Sequence, residues 1–245
     1  MLLRVPDTIQ RPLWEGELAA DDTVPPAETQ RGTQPVRGVD PLRNLPVVSI
    51  GRPEVWNLVD LFDAGELPAP MRAKLSEASF HLVRLACSFR PEHDSTEIDW
   101  ARFSVSLQPD EAGLTASAFD LHPLFVTQEV KRNVTVSLAP TLKFLEVEAG
   151  IGSIGFGFEY QEIQPVISAS GAGEPEPAWD FQAVKGARVY GSKWMHLLVR
   201  ASPAMTACDA RLELSADVVR SGLRIAAFSR PRQTSADPLT VRLWG

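Results

Sequence analysis

One group of glycines has the spacing of a phosphate-binding loop. Gly150, Gly152 and Gly155 match the pattern G-x-G-x-x-G and follow a predicted strand. In a dinucleotide site this pattern opens a helix whose amino terminus faces the pyrophosphate. The residues that follow, Phe156 to Tyr160, are typical of a strand, and the H-R-D and D-F-G motifs of kinases are absent from the sequence. The glycines therefore do not predict a nucleotide site.

Carboxylates are concentrated in a second segment, which is predicted to be a loop. Glu92, Asp94, Glu97 and Asp99 lie within eight residues of one another. Hard cations such as calcium bind where several carboxylate oxygens lie close together. The spacing matches no EF-hand loop and lacks its glycine, so a solvated polar loop is the favoured interpretation. The four residues stay as metal candidates beside it.

Histidines and nucleophiles give no catalytic pattern. The histidines are His81, His93, His122 and His196. No two of them lie two residues apart, the spacing with which one strand face would hold a metal. Serines follow glycines at Ser153 and Ser192, but the strand–turn–helix context of a nucleophile elbow is missing. We expect no cofactor and no enzyme activity, while a site assembled from distant residues such as His81, His122 and His196 stays open.

The elements that would position such residues are mostly strands. From Thr206 to Val218 apolar and polar residues alternate, so one face of a strand is apolar and the other is charged. About ten such segments follow one another between Phe80 and Trp244, separated by short turns. This rhythm predicts an all-β, two-layer antiparallel β-sandwich, with immunoglobulin-like or jelly-roll connectivity. An extended N-terminal arm and one short docked helix complete the predicted fold.

The sequence divides into three parts. Residues 1–52 read as a partly flexible arm or linker, because residues 19–42 are rich in proline and polar residues. Residues 53–77 read as a helical connector, and 78–245 as the sandwich domain. Within the connector a helix is predicted over Pro53 to Ala64, with proline in its first turn and Gly65 at its end.

The glycine-rich segment 150–160 has two further interpretations. Small residues alternate there with Ile154, Phe156, Phe158 and Tyr160. Such a strand allows another backbone or ring to pack closely. The same alternation is typical of a hairpin that inserts into a membrane, although the preceding segment carries Lys143 and two glutamates.

Composition bounds the environment of the protein. The formal net charge of −7 and the pI of about 5.2 disfavour nucleic-acid binding. The amino terminus has no apolar leader, so we expect a cytoplasmic protein, and the excess of arginine over lysine suggests a bacterial source. Cys87 and Cys208 are interpreted as reduced core thiols, with a disulfide between the sheets as the alternative.

Together these observations predict a non-enzymatic binding or assembly module, a cytoplasmic structural protein that contacts other proteins or its own copies. The contacts would use loops, the N-terminal arm and a sheet edge such as Ile154 to Ile167. The candidate contact residues are Trp14, Val55, Trp56, Val59, Phe62, Phe156, Phe158, Tyr160, Trp179 and Trp194. Two alternatives stay open: a membrane-active effector that inserts a hairpin over 150–160, and a domain that binds a small ligand, a carbohydrate or a metal.

Overall fold

A computed structural model of the chain describes residues 11–20, 27–28, 45–62, 69–91, 96–126, 166–184, 188–220, 223–228 and 239–245. Helix α1 covers Ala69–Glu77, and a 3₁₀ turn covers Leu58–Leu61. The strands of these ranges, numbered in chain order, are β1 Pro12–Glu17, β2 Ala19–Ala20, β3 Ala27–Glu28, β4 Val47–Gly51, β5 Glu54–Asn57, β6 Ser79–Arg90, β7 Thr96–Pro109, β8 Ala116–His122, β9 Phe125–Val126, β10 Val166–Ser170, β11 Ala178–Gln182, β12 Gly191–Ala201, β13 Cys208–Arg220, β14 Leu223–Phe228 and β15 Leu239–Trp244.

The strands form two antiparallel sheets, which confirms the predicted all-β sandwich. The first sheet has the order β1-β4-β6-β12-β8, and β5 also pairs with β6. The second sheet has the order β2-β14-β13-β7-β11-β10-β9, with β15 beside β13 and β3 beside β14. Apolar side chains from the facing surfaces of both sheets form one continuous core.

Strand β13 shows how the sequence pattern becomes packing. Its alternate residues, from Cys208 to Val218, are buried, and the residues between them are at least partly exposed. Strand β7 pairs with β13 along its whole length, from Cys208 opposite Pro109 to Arg220 opposite Thr96. Phe103 of β7 and Trp179, opposite it on the neighbouring strand β11, are fully buried. The alternation therefore places one face of β13 on the core, as the sequence predicts.

The helix predicted over Pro53 to Ala64 is wrong. This stretch instead forms β5 and the 3₁₀ turn, and the Asn57 side chain accepts a hydrogen bond from the Val59 N–H at 3.0 Å. Val55 packs on the core between the sheets, whereas Trp56 packs on the opposite side. A strand on β6 satisfies backbone groups that a short isolated helix leaves unpaired. The helix of the described chain is α1.

The segment 11–20 ties the two sheets together. Strand β1 pairs with β4 in the first sheet, and β2 pairs with β14 in the second. Between them Leu18 is buried, and its N–H donates to the Pro46 carbonyl at 3.0 Å. The described part of the predicted arm is therefore part of the sandwich, and most of the remainder, including 29–44, lies outside the described residues.

The segment 171–177 also bridges the sheets. The Ala118 N–H of β8 donates to the Glu174 carbonyl at 2.8 Å, and the Val105 N–H of β7 donates to the Pro177 carbonyl at 2.9 Å. Strand β8 belongs to the first sheet and β7 to the second. The segment thus fills the gap between the two strands with backbone hydrogen bonds, and we name it the bridging loop.

A smaller apolar cluster covers the outer face of the first sheet. Its buried members are Leu58, Leu61, Ala78, Phe80, Leu82 and Leu198. They come from β6, β12, the 3₁₀ turn and the residue after α1, and Leu75 of α1 packs against them. The first sheet is therefore shielded from water on part of both faces.

Both cysteines are free and buried. Burial raises the pKa of the Cys87 thiol, and burial is also the main cause that raises the pKa of Cys208 to about 11. A raised pKa keeps a thiol protonated and unreactive. This agrees with the interpretation of reduced core thiols and excludes the disulfide from this structure.

Candidate functional site

Two short strands lie at the two ends of the longest segment that the structure does not describe. Strands β9 and β10 are antiparallel neighbours, with Val126 opposite Ile167 and Phe125 opposite Ser168. The Ala169 N–H also donates to the Leu124 carbonyl at 2.8 Å. Residues 127–165, which join the two strands, lie outside the described residues. We name β9 and β10 the exit pair, since the described chain stops after β9 and resumes at the neighbouring β10.

The exit pair carries exposed apolar side chains. Leu124 is 51% exposed and Phe125 is 65% exposed, whereas Ile167 is buried and Val126 packs on the core. One side of the exit pair therefore packs on the core of the sandwich, and the other side presents apolar surface to solvent. Exposed large apolar groups that lie together mark contact sites more often than single ones do.

A second region lies on the outer face of the first sheet. His122 of β8, His196 of β12, Arg84 of β6 and Glu54 of β5 lie at matching register positions across four neighbouring strands. The two imidazole rings are 6.2 Å apart between centroids. We name these four residues the histidine row. The Nδ1 atom of His196 is buried and has no hydrogen-bond partner among the residues that the structure describes.

Burial keeps the two histidines of the row neutral. Burial, and after it the neighbouring His122 and Arg84, which would repel a second cation, together lower the pKa of His196 to about 4. Burial also lowers the pKa of His122, against the opposing influence of Asp120. Near pH 7 the row therefore carries the Arg84 cation and two uncharged imidazoles.

Arg84 is held on three sides. Its Nε donates to a Glu54 carboxylate oxygen at 2.5 Å, and its guanidinium lies 5.2 Å from the ring centroids of both Trp56 and Trp194. Cation–π contacts of this kind hold an arginine in place. Trp194 is 43% exposed, so part of its ring faces solvent.

The predicted contact residues lie in different places. Trp14 and Val55 pack against the main core, and Trp56 and Phe62 pack against the smaller cluster. The surface positions are Val59, which is 48% exposed, and Trp194. Trp179 is fully buried, so we no longer retain it as a contact residue. Phe156, Phe158 and Tyr160 lie outside the described residues.

The predicted sheet edge is described only at its end. Of Ile154 to Ile167, the structure describes 166 and 167, which belong to β10. Strand β10 pairs with β11 on one side and with β9 on the other. This end is therefore in the interior of the second sheet and offers no free edge there.

The described residues among the metal candidates make contacts with other parts of the protein. The Glu97 carboxylate pairs with Arg188 at 3.0 Å, and the Asp99 carbonyl accepts a hydrogen bond from the Ala183 N–H at 2.9 Å. Glu92 and Asp94 lie outside the described residues. Within the ranges that are described, no three acidic, histidine or cysteine side chains form a group that could hold a metal ion.

Sequence analysis left open whether three histidines meet in space, and two of them do. His122 and His196 share the histidine row, whereas His81 stacks on the Trp244 ring with centroids 3.9 Å apart. Sequence reasoning missed Arg84. The signal was present, since an arginine interrupts the otherwise apolar run of β6.

Comparisons with known proteins come from solved structures. No family model matches the chain, and no curated protein does. One similar structure is titled "Pore forming protein", with a TM-score of 0.40 and 9% identity, over 89% of this chain and 94% of that one. Another is the Clostridium perfringens NetB toxin in the membrane inserted form, with a TM-score of 0.34 and 9% identity, over 94% of each chain.

The expectation of a cytoplasmic structural protein is corrected here. The finding that opposes it is the pair of similar structures, whose titles describe a pore-forming and a membrane-inserted protein. At 9% identity the likeness is distant. In the described part of the chain, every helix is too short or too polar to cross a membrane.

Proposed function

We propose that this chain is a non-enzymatic, membrane-active protein that inserts residues 127–165 into a lipid bilayer as a β-hairpin. This interpretation replaces the general binding module as the leading function. The hairpin considered from the sequence over 150–160 becomes the second half of a longer element.

The observation that carries the proposal is the exit pair. The 39 residues 127–165 join two strands that are antiparallel neighbours. Antiparallel neighbours are the connection that a hairpin requires. A strand needs about 9 to 11 residues to cross a bilayer, so this length accommodates two crossings and a turn.

The first half of the segment has the alternation of a strand that faces lipid with one side. Its apolar positions are Val134, Val136, Leu138, Leu142 and Phe144. The residues between them are small or polar, and Lys143 belongs to this second set. Strands that cross membranes alternate in this way. Lys143 therefore falls on the side away from lipid, where its charge does not oppose insertion.

The second half of the segment shows the same alternation of apolar with small or polar residues. Ile154, Phe156, Phe158 and Tyr160 alternate with glycine and Glu159. Glu146 and Glu148 lie between the two halves, where a turn would place them in water beyond the far side of the bilayer. The charges that opposed a short hairpin over 150–160 thus fit a longer one.

Insertion also implies self-association. A single hairpin has two edges of unpaired backbone groups, and each such group costs several kcal/mol in hydrocarbon. Pairing with hairpins of other copies satisfies these edges. The function therefore includes assembly of several copies at the membrane, and the exposed Leu124 and Phe125 at the exit pair supply apolar surface next to it.

The test is release of a trapped dye from phosphatidylcholine vesicles. We expect the full chain to release the dye, and we expect Val136→Asp to lower the initial rate about tenfold or more, because it puts a charge on the lipid side. The matched control is Thr135→Asp, which adds the same charge one residue away on the other side. Its rate should stay within about threefold of the parent.

Two results would contradict the proposal. One is the absence of release by the parent protein at micromolar concentration. The other is equal loss of activity in the two variants, which would show that the alternation has no directional meaning. Circular dichroism of both variants checks that the sandwich is folded in each case.

A further inference from the structure

The histidine row lies next to the exit pair along the chain. His122 is the last residue of β8, and β9 begins three residues later at Phe125. A connection of three residues spans at most about 10 Å, so β8 and β9 cannot move far apart. Any change in how the end of β8 is held therefore reaches the exit pair.

The last pair of β8 is held by groups that respond to acid. His122 lies opposite His196, which in turn lies opposite Arg84. The charged groups that face His196 are Arg84 with its partner Glu54 on the β6 side, and His122 with Asp120 on the β8 side. Because Glu54 already binds Arg84, a proton on His196 would create a second, partly buried cation, and the described residues offer no acceptor at its Nδ1.

We propose that acidification protonates the histidines of the histidine row. The added positive charge opens the pairing of β12 with the carboxyl end of β8 and loosens the exit pair. This regulation rests on the membrane function proposed above. It makes the protein more active at acid pH than at neutral pH.

The direction follows from proton linkage. In the open state His196 is solvated and titrates near its ordinary pKa of 6.5, whereas in the closed state its pKa is about 4. Between these values the open state binds the proton and the closed state does not. The population of the open state therefore rises as pH falls, by up to about tenfold for each pH unit.

The first measurement is hydrogen exchange of the soluble protein at pH 7.5 and pH 5, corrected for intrinsic exchange. We expect the corrected opening of the Leu121 and His122 amides to rise roughly tenfold or more at pH 5. The amides of Leu212 and Leu214 in β13 serve as the internal reference and should change little. His196→Phe removes the titrating group and should abolish the difference at β8, and His122→Gln should reduce it.

The second measurement is dye release from phosphatidylcholine vesicles at the same two pH values, with sulforhodamine B as a dye that does not respond to pH. Release should be faster at pH 5, and His196→Phe should remove the acceleration. The control His93→Gln alters a histidine that lies in neither β8 nor β12 and should keep the parent's pH dependence.

The two readouts separate the two proposals. Opening of β8 without dye release at either pH supports the acid response and contradicts the membrane function. Equal dye release at both pH values with unchanged exchange at β8 supports the membrane function and overturns the acid response. Equal opening of β8 and β13 at pH 5 also overturns it, since acid would then loosen the whole sandwich.

Discussion

Arg84 in the first sheet and Arg102 in the second form the same kind of contact in different surroundings. Each pairs with a carboxylate on the neighbouring strand, Glu54 and Asp180 respectively. Each also lies over tryptophan, at 5.2 Å for Arg84 and at 5.6 Å for Arg102. The side chain of Arg84 is 12% exposed, whereas that of Arg102 is 45% exposed.

The more exposed ion pair, Arg102 with Asp180, has the better hydrogen-bond geometry. Arg102 binds Asp180 through two hydrogen bonds of 2.9 and 2.8 Å, and this bond is the main cause that raises its pKa. Arg84 uses a single oxygen of Glu54. Water weakens the contribution of an exposed ion pair, whereas removing one partner of a shielded pair leaves a charge that water cannot reach. Burial therefore decides which arginine matters more for stability.

The largest expected difference between the sheets is their response to acid. The described strands of the second sheet contain no histidine, while the first sheet holds His196, partly buried, with a pKa of about 4 against 6.5 in the unfolded chain. The unfolded state therefore binds a proton that the folded state does not, and stability falls as pH drops from 6.5 towards 4. The loss is at most about 3 kcal/mol for this residue.

Urea denaturation at a series of pH values measures this loss of stability in acid. The parent should lose stability below pH 6.5, and His196→Phe should lose less, although His81 and His122 titrate in the same direction. Identical pH profiles for the two proteins would show that His196 does not set the acid sensitivity of the first sheet.

The second-largest effect is expected when Arg84, the more shielded arginine, is removed. Arg84→Met takes away the guanidinium and leaves the Glu54 carboxylate in a shielded position. We expect the free energy of unfolding to fall by about 1 to 3 kcal/mol at pH 7. In the double variant with Glu54→Gln, part of this loss should return, because no uncompensated charge remains. Simple additivity of the two losses would contradict the role given to the pair.

The smallest effect is expected for Arg102. Arg102→Met removes a bidentate but exposed contact, and we expect a loss of less than about 1 kcal/mol. This loss should shrink at high salt, since ions screen exposed charges. Denaturation of Arg84→Met and Arg102→Met side by side, at low and high salt, compares the two arginines. A larger loss for Arg102 would reverse the order that burial predicts.

The strands that alternate cleanly were predictable from the sequence. The alternation predicted over Thr206 to Val218 covers most of β13, which runs from Cys208 to Arg220. The failure at Pro53 to Ala64 has a physical cause. Val55 packs on the main core and Trp56 on the smaller cluster, so each face of β5 carries an apolar side chain. A segment covered on both faces has no period of two, and its apolar run is equally compatible with a helix.

The candidate site was less predictable than the fold. Trp194 was predicted as a contact residue from its residue type, and its ring is partly exposed beside Arg84. The pairing of His122 with His196 joins residues 74 positions apart, and its register depends on how β8 and β12 align. Burial and register set the chemistry of this row, and neither is encoded in a local motif.

The bridging loop determines how the sandwich resists a mechanical load. Strand β10 runs directly into this loop, whose backbone is bonded to Val105 in one sheet and Ala118 in the other. Gly171, at a φ of +87°, lets the loop fold tightly against itself. A pull on β10 from residues 127–165 therefore loads the β10–β11 hydrogen bonds along the strand, in shear, and spreads to both sheets. Because the loop is bonded to both sheets, we expect tension at the exit pair to be shared between them rather than to peel β10 away alone.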